Sequence, residues 1–222
     1  MKRKLTPPWR RSGFPRSTIA EFRRSANGVS AVEFALILPL MLTLYAGMAE
    51  MAHAIDNWRK VTQLARTVAD LTSQGDQDSA KPIRSSTMDD ILASSSAVLR
   101  PFVASDAQIV VSALAVDHLA SALSPRVCSS VATSNATARH KGIAADLPIP
   151  AGFGVDGNRY VLAEVSMPYA PMIGASLVKL VRGINGSIML NVSFPWPTRG
   201  GQPFKSITNT SEVILPDGKE CP

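Results

Sequence analysis

Between Phe34 and Ala49 the chain runs for sixteen residues without a charge, FALILPLMLTLYAGMA. Counted from Val29 the apolar stretch is 21 residues, with Glu33 as its only charge. As a helix rising 1.5 Å per residue it reaches roughly 31 Å, the thickness of one bilayer core. The core helix of a soluble protein keeps a polar stripe toward solvent, and this run is apolar on every face. The segment is therefore read as a membrane helix. Pro39 lacks a backbone donor and crowds the preceding turn, a local kink that neighbouring helices or side chains absorb in lipid. Gly47 adds a place for close helix approach.

Charge is distributed to match. The formal net charge of +6 and pI near 9.6 suggest a nucleic-acid ligand only until the charges are located. Eight of the 23 basic residues and one of the 17 acids precede Gly28, so the remaining 15 and 16 nearly cancel. A basic tail immediately before an apolar run is the cytoplasmic flank of the positive-inside rule, placed beside anionic lipid. No nucleic acid is expected as a partner.

Glu33 is costly where it stands, because a carboxylate in an apolar span costs a few kcal/mol unless it is paired, neutralised or near the interface. One resolution is snorkelling to the cytoplasmic headgroups. The other is scission after Gly28, which makes Val29 a new amino terminus and puts an ammonium four residues from the carboxylate, where opposite charges in low dielectric attract strongly.

A basic leader, Gly28, Val29-Ser30-Ala31-Val32-Glu33-Phe34 and the run Ala35-Leu36-Ile37-Leu38-Pro39 together resemble the TadE-like and TadG-like minor pseudopilins of tight-adherence (Tad) pili. The resemblance covers roughly residues 20 to 70 and rests on Gly28, Glu33, Phe34, the apolar run and its proline. It implies processing by a prepilin peptidase after Gly28, with Val29, Glu33 and Phe34 completing the processing site. It further implies a helix that is first an anchor in the bacterial inner membrane and then an assembly element, with other Tad pilins and secretion-machinery components as partners. The leader is long for this pattern and carries Pro7, Pro8 and Pro15.

A competing reading takes Ala52-His53-Ala54 as a signal-peptidase site, giving a soluble periplasmic protein that starts at Ile55. Against it stand the length of the uncharged run and Glu50, an acid between that run and the supposed site.

Downstream, Trp58 suits an interfacial belt, and Val61, Leu64, Ala65, Val68 and Leu71 recur at helical spacing, so the stem is expected to run unbroken from about Ser30 to Ser73. Residues 74–79 read as a loop. Thr87 reads as an N-cap, with Asp89 and Asp90 in the first turn of a helix running from Ile91 to Leu99 and ended by Pro101. Residues 108–116, 159–169 and 187–196 read as strands, the last alternating Ile188, Leu190, Val192 and Phe194 toward one face. Residues 121–157, rich in Ser, Thr, Asn, Ala, Gly and Pro, read as a long loop, and 175–182 as a short amphipathic helix.

Cys128 and Cys221 stand at no zinc or redox spacing. Outside the cytoplasm one disulfide is their natural pairing; the alternative is two unpaired thiols, with Cys221 in a frayed tail, and sequence alone does not choose. His53, His118 and His140 are far apart in sequence, and no zincin, nucleophile-elbow, phosphate-loop or dinucleotide pattern occurs. Abundant serine has the simpler reading of turn and cap chemistry. Asn135, Asn185, Asn191 and Asn209 each open an N-x-Ser/Thr triplet, which is incidental in a bacterial chain.

The expectation is an α+β chain: a basic cytoplasmic leader over 1–28 that is cleaved, a transmembrane and stem helix over 29–75, and an extracytoplasmic domain over 76–222. That domain should hold a short, mostly antiparallel sheet with packed helices. The chain is expected to be a single-pass membrane protein, N-terminus in the cytoplasm and domain in the periplasm, acting as a minor pseudopilin. No enzymatic activity, cofactor, metal or small-molecule substrate is expected. The alternative is a membrane-anchored or signal-peptide-cleaved binding domain.

Overall fold

The computed structural model describes residues 27–75, 82–119, 122–172, 187–203, 211–216 and 218–221. The leader up to residue 26, part of the loop expected over 74–79 and the helix expected over 175–182 lie outside the described residues. The chain divides into two compact units, Met1–Ala49 and Glu50–Pro222.

Helix α1, Asn27–Ser73, runs through that division and carries Pro39 in its interior without interruption. In the first unit its apolar side chains stay uncovered, from Val29 and Phe34 to Leu44 and Met48. In the second unit Asn57, Val61, Leu64, Ala65, Val68, Ala69 and Thr72 are buried along one stripe at the helical period. Leu71, expected on that stripe, is 36 % exposed. At 100° per residue the stripe passes through positions 61, 65, 68 and 72, so Thr72 takes its centre and Leu71 falls beyond its edge.

Helix α1 ends at Gly75, whose φ of +64° suits a residue without a side chain and whose N–H donates to the Thr72 carbonyl at 3.1 Å. The Ser73 carbonyl, orphaned by the helix end, accepts from the backbone N–H groups of Arg199 and Gly200 at 2.9 and 3.1 Å. The stem is thereby tied to the chain segment that follows the last long strand.

The expected 91–99 helix is displaced and divided. Helix α2 is Ser85–Ala93 and helix α3 is Ser95–Val98, followed by a 3₁₀ turn at Ala104–Asp106. Thr87 is no cap: the helix opens two residues earlier after Arg84, whose carbonyl accepts the Met88 N–H at 3.0 Å. Burial of Met88, Ile91 and Leu92 fixes this earlier start, since the helix must turn those three side chains inward together.

The main sheet has five strands: β1 Gln108–Leu119, β2 Ala122–Ala132, β3 Gly142–Ile143, β4 Arg159–Tyr169 and β5 Ile188–Pro197. Their order is β3-β2-β1-β4-β5 and every pairing is antiparallel. A two-stranded ladder joins β6 Gln202–Pro203 to β7 Ser211–Glu212.

Strand β2 overturns the loop reading of 121–157. Its Ser, Ala and Pro composition gives weak strand propensity, but ten of its residues find partners on β1, and sheet pairing outweighs local preference. The register slips between Ala113 and Leu114, so Cys128 is the extra residue of a bulge.

Alternation on the strands separates two cores. On the helix side, Ile109, Val111, Ala113, Val161, Ala163, Val165 and Met167 pack with the α1 stripe, α2, Val213 and Leu215. Leu190, Val192, Phe194 and Trp196 of β5 extend this face, half-buried. On the other side, Leu114, Val116, Val127, Tyr160 and Leu162 are covered by Ala144, Leu147, Ile149 and Phe153 from the 144–153 segment. Each fully buried Leu or Val contributes about 1.5–3 kcal/mol by leaving water.

Candidate functional site: the exposed apolar helix and the domain end that meets it in sequence

The first unit contributes one feature, the apolar run of α1, in which no residue is buried among the described residues. The most apolar 18-residue window of the helix has none of its residues buried. Uncovered Phe34, Leu36, Leu38, Pro39, Leu40, Leu42 and Leu44 point around the whole circumference. By length and composition this is a helix fit to cross a membrane once. Pro39 withholds the N–H that the Ala35 carbonyl would accept, while Thr43 Oγ1 donates to the Leu40 carbonyl at 2.8 Å.

Gly28 lies in the first turn of α1, and Val29, Glu33 and Phe34 follow on exposed positions within two turns. Val29 and Glu33 are one helical turn apart. Glu33 makes no hydrogen bond or ion pair among the described residues.

The first charge after the run is treated differently. The Glu50 carboxylate accepts the Tyr169 O–H and the Met172 N–H, the latter at 3.1 Å. Burial first, and then the hydrogen bond to Glu50, push the Tyr169 phenol up to about 12, so it stays a donor at any ordinary pH. Two loops therefore end beside residues 50–57 of α1: the 170–172 turn after β4 and the 101–106 segment. Between them is a cavity of about 300 Å³ lined by His53, Asn57, Phe102, Asp106, Met167 and Tyr169, among others.

At another place in the domain Cys128 and Cys221 are joined by a disulfide, with Cα atoms 5.0 Å apart. Both are buried beside Ala115. The Cys221 N–H donates to Glu212 Oε1 at 2.6 Å, and burial pushes the Glu212 carboxyl above its ordinary range. Glu212 and the two sulfurs lie within 4.8 Å of one another, but sulfurs bonded to each other are not thiolate ligands. Arg159, 2 % exposed, reaches Asp117 at 3.4 Å, and Asp117 also takes Arg126 at 2.9 Å.

On the sheet face away from α1, Arg139 is the hub. It holds Glu164 in a two-pronged contact and Asp146 at 2.7 Å, and Glu164 above all pushes the guanidinium pKa up. These are ion pairs that order the 139–146 segment. His118 and His140 are both exposed. Sequence reasoning missed the Glu50 clamp and the Arg139 hub, because Glu50–Tyr169 and Arg139–Glu164 join residues 119 and 25 positions apart that no local pattern links.

The apolar run and the buried stripe that follows it coincide with a known family. Residues 28–70 match the TadE-like protein family. Compared with curated proteins and with solved structures, the chain matches none. The TadE-like segment begins at the glycine that opens α1 and ends at Asp70, so it contains the whole apolar run and the stem face as far as Ala69. The sheet and its disulfide lie outside it.

Proposed function

We propose that the chain is a minor pseudopilin of a Tad or type IVb-like pilus in the bacterial inner membrane. The basic leader holds the precursor with its N-terminus in the cytoplasm, prepilin peptidase cuts after Gly28, and the domain stands in the periplasm. The helix then packs beside other pilin helices, with the domain meeting other minor pilins or secretion-machinery components. No catalysis by this chain is required.

The observation that carries this reading is a helix apolar and uncovered on all sides, with Glu33 and Phe34 just after a glycine at its start. The TadE-like match over 28–70 supports it. A freed Val29 ammonium one turn from Glu33 gives that carboxylate a counter-charge, either within its own helix or on a neighbour.

The test is the N-terminal residue of the mature protein in cells with active peptidase. Val29 is expected; retention of the basic leader refutes processing, and a start at Ile55 supports the signal-peptide reading. Glu33→Ala should still be cleaved and should fail to join the pilus complex. Normal piliation by that variant ends the charge-pairing argument.

A further inference from the structure

Glu212 is a buried acid to which the pilin reading gives no task. It is the last residue of β7 and is 4 % exposed, and the cysteines beside it, Cys128 and Cys221, are 8 % and 6 % exposed. The chain after β7 doubles back on itself. Leu215 donates its N–H to Ser129 Oγ at 3.2 Å, Gly218 donates to the Leu215 carbonyl at 2.9 Å, and the Cys221 N–H comes to rest on Glu212 Oε1 at 2.6 Å. Cys128 is held from the other side by the bulge of β2. A carboxylate oxygen of Glu212 and both sulfurs thus lie within 4.8 Å of one another. A disulfide closes when a thiolate attacks a mixed disulfide, so the attacking thiol has to lose its proton. Bulk water has little access to sulfurs buried this far, and a free thiolate among apolar neighbours is costly, so the proton requires an acceptor within the fold.

We propose that Glu212 is the internal base that closes the Cys128–Cys221 bond, the oxidant being a protein or small-molecule disulfide. Lys219 and Glu220, which precede Cys221, are exposed, so exchange begins at Cys221 while that segment is undocked. The Cys221 thiolate attacks the oxidant, stays joined to one of its sulfurs and expels the other as a thiolate. Docking of the Cys221 N–H on Glu212 then brings the mixed disulfide to Cys128. The Cys128 sulfur attacks the Cys221 sulfur as its proton passes to the Glu212 carboxylate. The Cys128–Cys221 bond forms, the bond from Cys221 to the oxidant breaks, and the oxidant's remaining sulfur leaves with the electron pair and takes up a proton from water. The two cysteines have then lost two electrons and the oxidant's disulfide has become two thiols, while Glu212 returns its proton to solvent. Burial holds the Glu212 carboxyl above its ordinary range, with Glu220 and Asp117 adding to the rise and the Cys221 N–H and Arg159 opposing it. A carboxylate so placed takes up a proton more readily than an exposed one.

The full chain in detergent is reduced, freed of reductant and charged with one equivalent of dithiodipyridine at acid pH, where closure is slowest. It is then jumped to a series of pH values up to the thiol range, and closure is read from the absorbance of the pyridinethione it releases. In the wild type the rate should rise as Glu212 ionises and level off before the ordinary thiol value of about 8.5. Glu212→Gln keeps an oxygen for the Cys221 N–H and loses the base. Its closure should be about a hundredfold slower at neutral pH, the lower end of what general-base catalysis supplies, and should climb steadily into the thiol range. Glu220→Gln, at an exposed neighbouring acid, should close like the wild type. A wild-type rate that climbs with thiol ionisation alone, without levelling, overturns the proposal whatever the variants do. Equal closure by Glu212→Gln overturns it as well, and so does a slowing of that variant by one factor at every pH, which is what positioning of the tail alone would give. Equal slowing by Glu220→Gln makes the effect one of net charge and also overturns it.

Discussion

Removal of the disulfide should take away a large share of the domain's stability. Cys128 and Cys221 are 93 positions apart, so the bond closes a loop that covers most of the second unit. Chain-entropy reasoning assigns about 4.6 kcal/mol at 25 °C to a loop of that length, against a total of about 5–15 kcal/mol for an ordinary domain. The double variant Cys128→Ala/Cys221→Ala is the cleanest perturbation, because both positions are buried and a serine would leave a hydroxyl without partners. In the folded state the variant still has the Glu212 acceptor for the Cys221 N–H, and Gly218 packed against Ser129, so the native tail retains local contacts. The loss therefore falls mainly on the unfolded state, which regains the freedom of the open chain. Urea unfolding of the full chain in detergent, followed by tryptophan fluorescence, should give a lower midpoint and a somewhat steeper slope, because the opened unfolded chain exposes more surface. A free-energy loss of about 3–5 kcal/mol is expected. A loss below about 1 kcal/mol, with the slope unchanged, refutes the reasoning, since it means the unfolded chain gains little from the opened loop.

Two further outcomes follow from the core and the buried acid. Leu64→Ala, at a fully buried position on the α1 stripe, should cost about 2–5 kcal/mol in the same assay, and a cost under about 1 kcal/mol would show that the stem does not pack as described. Burial holds the Glu212 carboxyl above its ordinary value, so its contribution to stability is full below the ordinary carboxylate range and is lost as pH rises through its raised value. Glu212→Gln should therefore narrow its stability difference from the wild type below that range and gain on it above; parallel pH profiles for the two proteins would refute the assignment.

The sequence by itself determined the elements whose evidence is local. An uncharged run longer than a soluble core helix tolerates can be read one residue at a time, and so can the alternation of Ile188, Leu190, Val192 and Phe194 on β5. Gly28, Glu33 and Phe34, the residues proposed for processing, could be singled out for the same reason, since they adjoin that run. The small antiparallel sheet beside helices was legible as a class, because strands 108–116 and 159–169 carry their own β-branched patterning.

Only the tertiary structure decided the rest. Strand β2 has a loop-like composition and becomes a strand because β1 offers it ten partners; that energy belongs to the pair and leaves no mark on either sequence. Helix α2 starts at Ser85 because three apolar side chains must reach one core, a demand that the attractive capping pattern at Thr87 does not register. The same holds for Glu50 with Tyr169 and for Arg139 with Glu164, pairs separated by 119 and 25 positions. Periodicity and capping are short-range properties of a chain, whereas a hydrogen bond across a fold depends on where two distant segments are carried by everything between them.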